Sequence, residues 1–305
     1  MTDSAPVLVH DVAQLSAALD ASAPGGDRDG DATPYGRAVV MTMGALHAGH
    51  LSLVRAAKEL ASRVVVTIFV NPLQFGPGED LERYPRDLDG DLALLSGPRL
   101  LGAGDVVFAP TPQVMYPDGE PSVRVSAGPI GTVLEGAVRP GHFDGVLTVV
   151  LKLLHLTRPD VALFGRKDAQ QLAAVRAMVR DLDVPVDVRG VPIVRDDDGL
   201  ALSSRNAYLR PEDRQRALAL SRSLAAGRDR AAAGGAPDQV RSVVRAVLDA
   251  QLDEQVDAVD YVALLDPDTF TEVPDTAVGT AVLAVAARVG GTRLIDNTDV
   301  ELIGR

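Results

Sequence analysis

Two histidines, His47 and His50, stand three residues apart in the run MTMGALHAGH from Met41 to His50. At that spacing, in the first turn of a helix, two side chains project from one face. A helix N-terminus also offers unpaired backbone N–H groups and the positive end of the helix dipole, a combination that attracts phosphate. Gly44 permits a tight exit from a preceding strand, and Gly49 lets a ligand approach the backbone closely. A metal pair is the second reading, but metal-binding helical histidines usually stand four apart around an acid, as in H-E-x-x-H, and that acid is missing here. Two solvated surface histidines are the third. A nucleotide-phosphate cradle leads.

Three further clusters have side chains fit for the same chemistry. Asn71-Pro72-Leu73-Gln74 follows an apolar run, and the Gln74 amide offers donors and an acceptor to a substrate with hydroxyls and a carboxylate. On the residues alone, an ordinary polar turn is the favoured reading. Gly165-Arg166-Lys167-Asp168 carries a lysine able to bind phosphate as a point charge and an aspartate able to accept from ribose hydroxyls or hold a metal-bound water. Its bland alternative is a solvated charged turn. Ser203-Ser204-Arg205 could clasp a triphosphate or merely cap a helix. Asp87, Asp89 and Asp91 could reach magnesium or form an acidic, capped helix start. No protein metal ligand is assigned; magnesium is expected with the nucleotide, held largely by phosphates.

These residues need a frame. Arg37 to Thr42 reads as a strand, Leu46 to Leu60 as an amphipathic helix, and Arg63 to Val70 (RVVVTIFV) as a strand buried on both faces. Further strands are expected at Asp105 to Ala109, Val161 to Phe164 and Val184 to Arg189, with helical stretches between. Such alternation predicts an α/β fold with a Rossmann-like parallel sheet, whose ligands bind beyond the carboxyl ends of the strands at a switch in strand order. After about Val194 the pattern changes to helices at Pro211 to Arg230 and Pro237 to Leu252, then short strands at Tyr261 to Leu265, Ala281 to Arg288 and Thr292 to Asp296. The expected division is residues 1–193, binding nucleotide and substrate, and residues 194–305, a smaller α+β lid domain closing over the nucleotide. Ala21 to Gly36, rich in Gly, Pro and Asp, reads as a surface loop.

Composition narrows the partners. The 305 residues carry 30 Lys and Arg against 42 Asp and Glu, a net charge of −12, which repels nucleic acid. Cysteine is absent, which closes disulfides, thiolate metal sites and thioester chemistry and fits a reducing compartment. No basic n-region leads an apolar stretch, and no apolar run approaches the roughly 20 residues of a membrane span. A cytoplasmic protein with neither membrane nor nucleic-acid partner is expected.

MGALHAGH resembles the HxGH signature of the nucleotidyltransferase superfamily, which includes class I aminoacyl-tRNA synthetases. With IFVNPLQF at Ile68, YPR at Tyr84, LEGAVRPGHF at Leu134, FGRKDAQQL at Phe164, GLALSSRNAYL at Gly199 and RLIDN at Arg293, the chain is similar to the pantoate–β-alanine ligase family from about Arg37 to Asn297. The resemblance implies condensation of pantoate with β-alanine to pantothenate, releasing AMP and pyrophosphate through a pantoyl adenylate. It further implies a homodimer. By resemblance the ATP contacts are Met43, Gly44, Ala45, Leu46, His47, Ala48, Gly49 and His50; Gly165, Arg166, Lys167 and Asp168; and Val194, Leu202, Ser203, Ser204 and Arg205. His50 takes the family's proton-donor place, with His47, Lys167 and Arg205 neutralising phosphate. Gln74 and Gln171 grip pantoate, Gln74 also lying near the β-alanine site; Gln170 is the neighbouring competitor. Arg139 and His142 read as structural support.

Arg166 stands where the family usually has Glu, which adds positive charge beside Lys167. It motivates one rival, a silent nucleotide-binding regulator. Two others are an adenylylating relative of the superfamily and a zinc hydrolase. All three rank behind the ligase.

Overall fold

The computed structural model describes residues 5–21, 33–79, 81–98 and 100–303. Most of the segment read as a surface loop, residues 22–32, lies outside the described residues. In chain order the elements are β1 (Val7–Val9), α1 (Val12–Asp20), β2 (Tyr35–Thr42), α2 (Ala48–Leu60), β3 (Ala61–Ile68), α3 (Leu88–Leu95), β4 (Val106–Phe108), α4 (Pro112–Met115), α5 (Glu135–Val138) and α6 (His142–Thr157). They continue with β5 (Val161–Gly165), α7 (Ala169–Asp181), β6 (Asp187–Val191), α8 (Pro211–Ala232), α9 (Pro237–Gln251), β7 (Ala258–Leu265), β8 (Gly279–Val289) and β9 (Thr292–Leu302). The chain divides into two compact units: residues through Gly165 together with Ala174–Val191, and Arg166–Ala173 together with Pro192 onward.

The first unit is built on a parallel sheet in the order β1-β4-β3-β2-β5-β6. Ala38 to Val40 and Val64 to Val66 are wholly buried, as a strand covered on both faces requires. One face packs with α2 and α3 through Leu53, Val54, Ala57 and Leu95. From β2 the chain adds β3 and β4 on one side, then crosses to add β5 and β6 on the other. The strand order therefore reverses at the carboxyl ends of β2 and β5, where such folds open their ligand crevice.

The second unit has an antiparallel sheet, β7-β8-β9. Helices α8 and α9 pack on it, burying Leu220, Leu224, Val244 and Leu248 against Leu264, Leu283 and Val285. The α/β reading of the sequence holds, with a separate small antiparallel sheet in the C-terminal part.

Some boundaries differ from expectation, for local reasons. β6 begins at Asp187 rather than Val184, because the Val184 N–H closes α7 on Val179 O, with Asp183 left-handed at φ 49°. Pro185 then follows with no N–H to give a ladder. β9 runs on past Asp296 to Leu302, since Val300 and Leu302 reach the core between exposed polar neighbours. β1 and α1 precede the first expected strand; Asp11 caps α1 by accepting from Gln14 N–H at 2.8 Å.

Candidate active site

β2 ends at Thr42, whose hydroxyl donates to Thr67 O at 2.9 Å and accepts from Gly44 N–H at 3.2 Å. The chain then turns through Gly44 at φ 83° and Ala45 at φ 50°, two left-handed residues in succession. Gly44 takes that conformation freely, whereas Ala45 needs outside support. Asp91 supplies it. This carboxylate, 4% exposed, accepts from Ala45 N–H at 3.1 Å and Leu46 N–H at 2.7 Å. Burial pushes its carboxyl above the usual value, opposed by those two hydrogen bonds.

The turn delays the helix: α2 starts at Ala48 rather than Leu46, with His47 extended as its N-cap. His47 Nδ1 accepts from Gly49 N–H at 3.2 Å, and His50 Nδ1 accepts from His47 N–H at 3.4 Å. The two form a reciprocal capping box in which imidazoles replace the usual hydroxyl and carboxylate. The ring centroids lie 4.1 Å apart at 38°, so the expected common side is reached by capping geometry. Since each Nδ1 accepts, each neutral ring carries its proton on Nε2 and presents that nitrogen as a donor. Gly49 N–H, one of the backbone donors at the helix N-terminus, is engaged by His47.

The structure gives the acidic group at Tyr84 to Asp91 two distinct jobs. Asp87 caps α3 by accepting from Gly90 N–H at 3.0 Å, while Asp91 braces the histidine turn. Among the described residues no group of three or more His, Asp or Glu side chains could hold a metal ion. Replacing Asp91 with Ala is expected to leave the Ala45 and Leu46 N–H groups without their acceptor, at about 1–3 kcal/mol for each buried group. Urea unfolding of Asp91→Ala checks this; an unchanged midpoint would show that the turn does not depend on the carboxylate.

A second cluster surrounds Gln74 at the carboxyl end of β3. Asn71, 1% exposed, donates from Nδ2 to Gln74 Oε1 at 3.2 Å and to Gly145 O at 3.1 Å. Its Oδ1 accepts from the Tyr116 hydroxyl at 2.9 Å and from Leu73 N–H at 3.3 Å. Burial pushes the Tyr116 phenol up to about 12, so it remains a donor at neutral pH. With its oxygen engaged by Asn71, Gln74 donates from its NH2 group to Met43 Sδ at 2.9 Å. That fixes Gln74 as a donor, the polarity a hydroxyl- and carboxylate-bearing ligand needs. A cavity of 670 Å³ opens beside it, bordered by Phe75, Tyr116, Arg124 and His142.

Arg139 and His142 hold the backbone of this cluster. His142 Nδ1 donates to Gln74 O at 2.8 Å, and Arg139 Nη2 donates to the same oxygen at 3.2 Å. Arg139 also forks onto Glu79 at 2.9 and 2.5 Å. That guanidinium holds the Glu79 carboxyl below its ordinary value of 4.5. The folded chain thus binds the Glu79 proton less tightly than the unfolded chain does, so the pair stabilises the fold fully above pH 4.5 and progressively less as pH falls through the lowered value. Acid titration of the urea midpoint is expected to fall less steeply below that pH in Glu79→Gln; parallel curves would remove the pair from the acid response.

In the second unit, Lys167 lies in a 3-10 turn, Arg166–Asp168, with its amine 3.6 Å from Asp168. Arg166 meets Asp299 at 2.6 Å. Ser203 caps the 3-10 turn Ser204–Tyr208 by accepting from Arg205 N–H at 3.3 Å. Val194 O accepts from Leu202 N–H at 2.9 Å, tying the ends of that loop together. Gln171 is half-buried at the start of α7, and its neighbour Gln170 is 4% exposed. Within the first unit the structure thus brings His47 and His50 together and sets Gln74 against Met43; within the second it places Lys167 and Ser203 to Arg205 on separate turns. Tyr116 was missed in the sequence because its partner, Asn71, lies 45 residues away, and Asp91, named there only as one of three acids near Tyr84, owes its role to backbone 45 and 46 residues away.

The model of the family described as pantoate–β-alanine ligase matches residues 8–299. The pantothenate synthetase of Streptomyces avermitilis is 54% identical over 86% of this chain and 91% of its own length. That of Salinispora arenicola is 53% identical over 97% and 98%. The crystal structure of pantothenate synthetase from Thermus thermophilus superposes with a TM-score of 0.83 at 46% identity, covering 96% of this chain and 98% of that one. The Francisella tularensis pantoate–β-alanine ligase, crystallised with beta-gamma ATP and β-alanine, gives 0.74 at 29% identity over 96% and 97%.

Proposed function

The chain belongs to the pantoate–β-alanine ligase family, and from that membership we propose which of its residues carry the reaction. The enzyme joins pantoate to β-alanine at the expense of ATP, forming pantothenate, AMP and pyrophosphate through pantoyl adenylate. The pantoate carboxylate attacks the α-phosphorus and expels pyrophosphate. The β-alanine amine then attacks the activated carbonyl and releases AMP. With no cysteine in the chain, no thioester intervenes.

The observation that carries the residue assignment is the imidazole capping box at the N-terminus of α2. Two Nε2–H donors fixed by their own backbone suit a phosphate that gains charge as pyrophosphate leaves. His50 is the donor to the reacting phosphate and His47 its neighbour, with Met43 to His50 lining ATP. Gly165 to Asp168, Val194 and Leu202 to Arg205 take ATP-binding roles by the same family pattern, with Lys167 and Arg205 neutralising phosphate. Gln74 binds pantoate through its NH2 group, and Gln171 is the second pantoate ligand. Arg166 keeps its place in the ATP set despite its departure from Glu.

Magnesium enters as the partner of ATP, carried by the phosphates, which is how this ion is usually held. A homodimer and a cytoplasmic location follow from the family resemblance. No helix among the described residues is long and apolar enough to cross a membrane. A coupled assay for AMP with MgATP and pantoate, run with and without β-alanine, tests the reading. AMP release that requires both acids supports it; AMP release indifferent to β-alanine would point to another acceptor.

A further inference from the structure

The block RLIDN, Arg293 to Asn297, belongs to the family pattern but has received no chemical role. It lies in β9, and its last two residues are polar yet 3% and 6% exposed. Asp296 accepts from Arg195 through both arms of the guanidinium, at 2.6 and 2.9 Å. Arg195 also donates to Gly199 O at 3.2 Å and bridges to Ala201, so this pair grips both ends of the loop leading to Ser203. Asn297 donates from Nδ2 to two successive carbonyls, Arg166 O at 3.0 Å and Lys167 O at 2.7 Å.

Neighbouring residues of a strand point to opposite faces. One step along β9 therefore separates the anchor of the Val194–Arg205 loop from the anchor of the Arg166–Asp168 turn. We propose that Asp296 and Asn297 are positioning residues that fix Lys167 and the Ser203–Arg205 loop in one frame, β9, so that both meet the phosphates of ATP in register. The proposal rests on the ATP roles given to those residues above.

The chemistry of each anchor suits its task. A carboxamide is neutral and has two N–H bonds on one nitrogen, so it can satisfy two carbonyls without burying a charge. An aspartate at 297 would set a carboxylate against both oxygens. A lysine side chain is long and freely rotating, so its aim depends on how firmly its backbone is held. The Arg166–Asp299 pair adds to the same turn, but both side chains are about half exposed, at 48%, and such pairs contribute little.

The test is steady-state kinetics of Asn297→Asp and Asn297→Ser, alone and combined with Lys167→Ala. The expected result is a fall of about 10–100-fold in kcat/KM for ATP in Asn297→Asp, the scale of a misplaced reacting group. Asn297→Ser, which keeps one donor, is expected to recover part of it, with KM for β-alanine and the melting midpoint held. In the Lys167→Ala background the Asn297 changes should cost little further. Losses that simply multiply would overturn the proposal, as would losing the melting midpoint in both variants, which would make Asn297 a structural residue only. If Lys167→Ala itself leaves ATP kinetics unchanged, it is the ATP assignment of Lys167 that fails, and that single variant reads it separately.

Discussion

His50→Ala is expected to lower AMP formation by about 100–1000-fold, the loss seen when a donor aimed at developing charge is removed. His50 has two jobs, however. Its Nδ1 accepts from His47 N–H and so caps α2, while its Nε2–H is the proposed donor to phosphate. Ala removes both, and loss of a cap alone costs about 1 kcal/mol. His50→Asn separates them, because an Asn oxygen can stand near the Nδ1 position and keep the cap while offering nothing at Nε2. Single-turnover adenylate formation in the two variants should therefore be equally slow, with only Ala lowering the melting midpoint. If Asn instead retained near-parent turnover, capping would be the role of His50 and another group would have to meet the phosphate. His47→Asn makes the complementary case, since His47 Nδ1 meets Gly49 N–H.

That separation shows why the site was legible in part. The residue types and spacing of MGALHAGH announce a phosphate site, and the buried strand before it and helix after it are plain from apolar periodicity. What holds the turn before the histidines is not local. Asp91 reaches Ala45 and Leu46 across 46 and 45 residues, and its target is backbone N–H, which has no residue type to betray it. In sequence Asp91 is one acid among three near Tyr84, and a helix start accounts for all of them. Asn297 is similar: it grips carbonyls 131 and 130 residues away. Side chain to side chain partners, such as Asn71 with Gln74, lie closer to what spacing can reveal.

The sheets were legible for the same physical reason. Val64 to Val66 in the middle of a parallel sheet admit one reading, whereas β1, with three residues at the edge, has too little pattern to register. In β9 the exposed Asp299 and Glu301 mask the alternation that Val300 and Leu302 continue, so the strand read short. Arg166 sits outside both lessons: it departs from the family's Glu, yet it finds an opposite charge in Asp299 within its own unit.

The second large effect is expected at a glycine. Gly145 lies inside α6, where helix propensity alone would favour Ala by about 1 kcal/mol. A Cβ added there would stand 2.1 Å from Leu73 O, 2.4 Å from Leu73 C and 2.7 Å from Gln74 N. All three are backbone atoms, so no rotamer change relieves the clash; either α6 or the Pro72–Gln74 turn has to move. Moving either also breaks the Asn71 bond to Gly145 O at 3.1 Å, the bond that helps orient the Asn71 amide toward Gln74. Gly145→Ala is therefore expected to destabilise the chain by about 3 kcal/mol, the upper part of the overpacking range, against the sign of its propensity. In whatever fraction folds, KM for pantoate should rise more than KM for ATP, because Leu73 and Gln74 are displaced while the α2 N-terminus is not. Urea unfolding and the two KM values read these together. A variant as stable as its parent would show that the close approach of α6 to Leu73 is not a constraint of the fold. Equal shifts in both KM values would show that Gln74 does not select for pantoate.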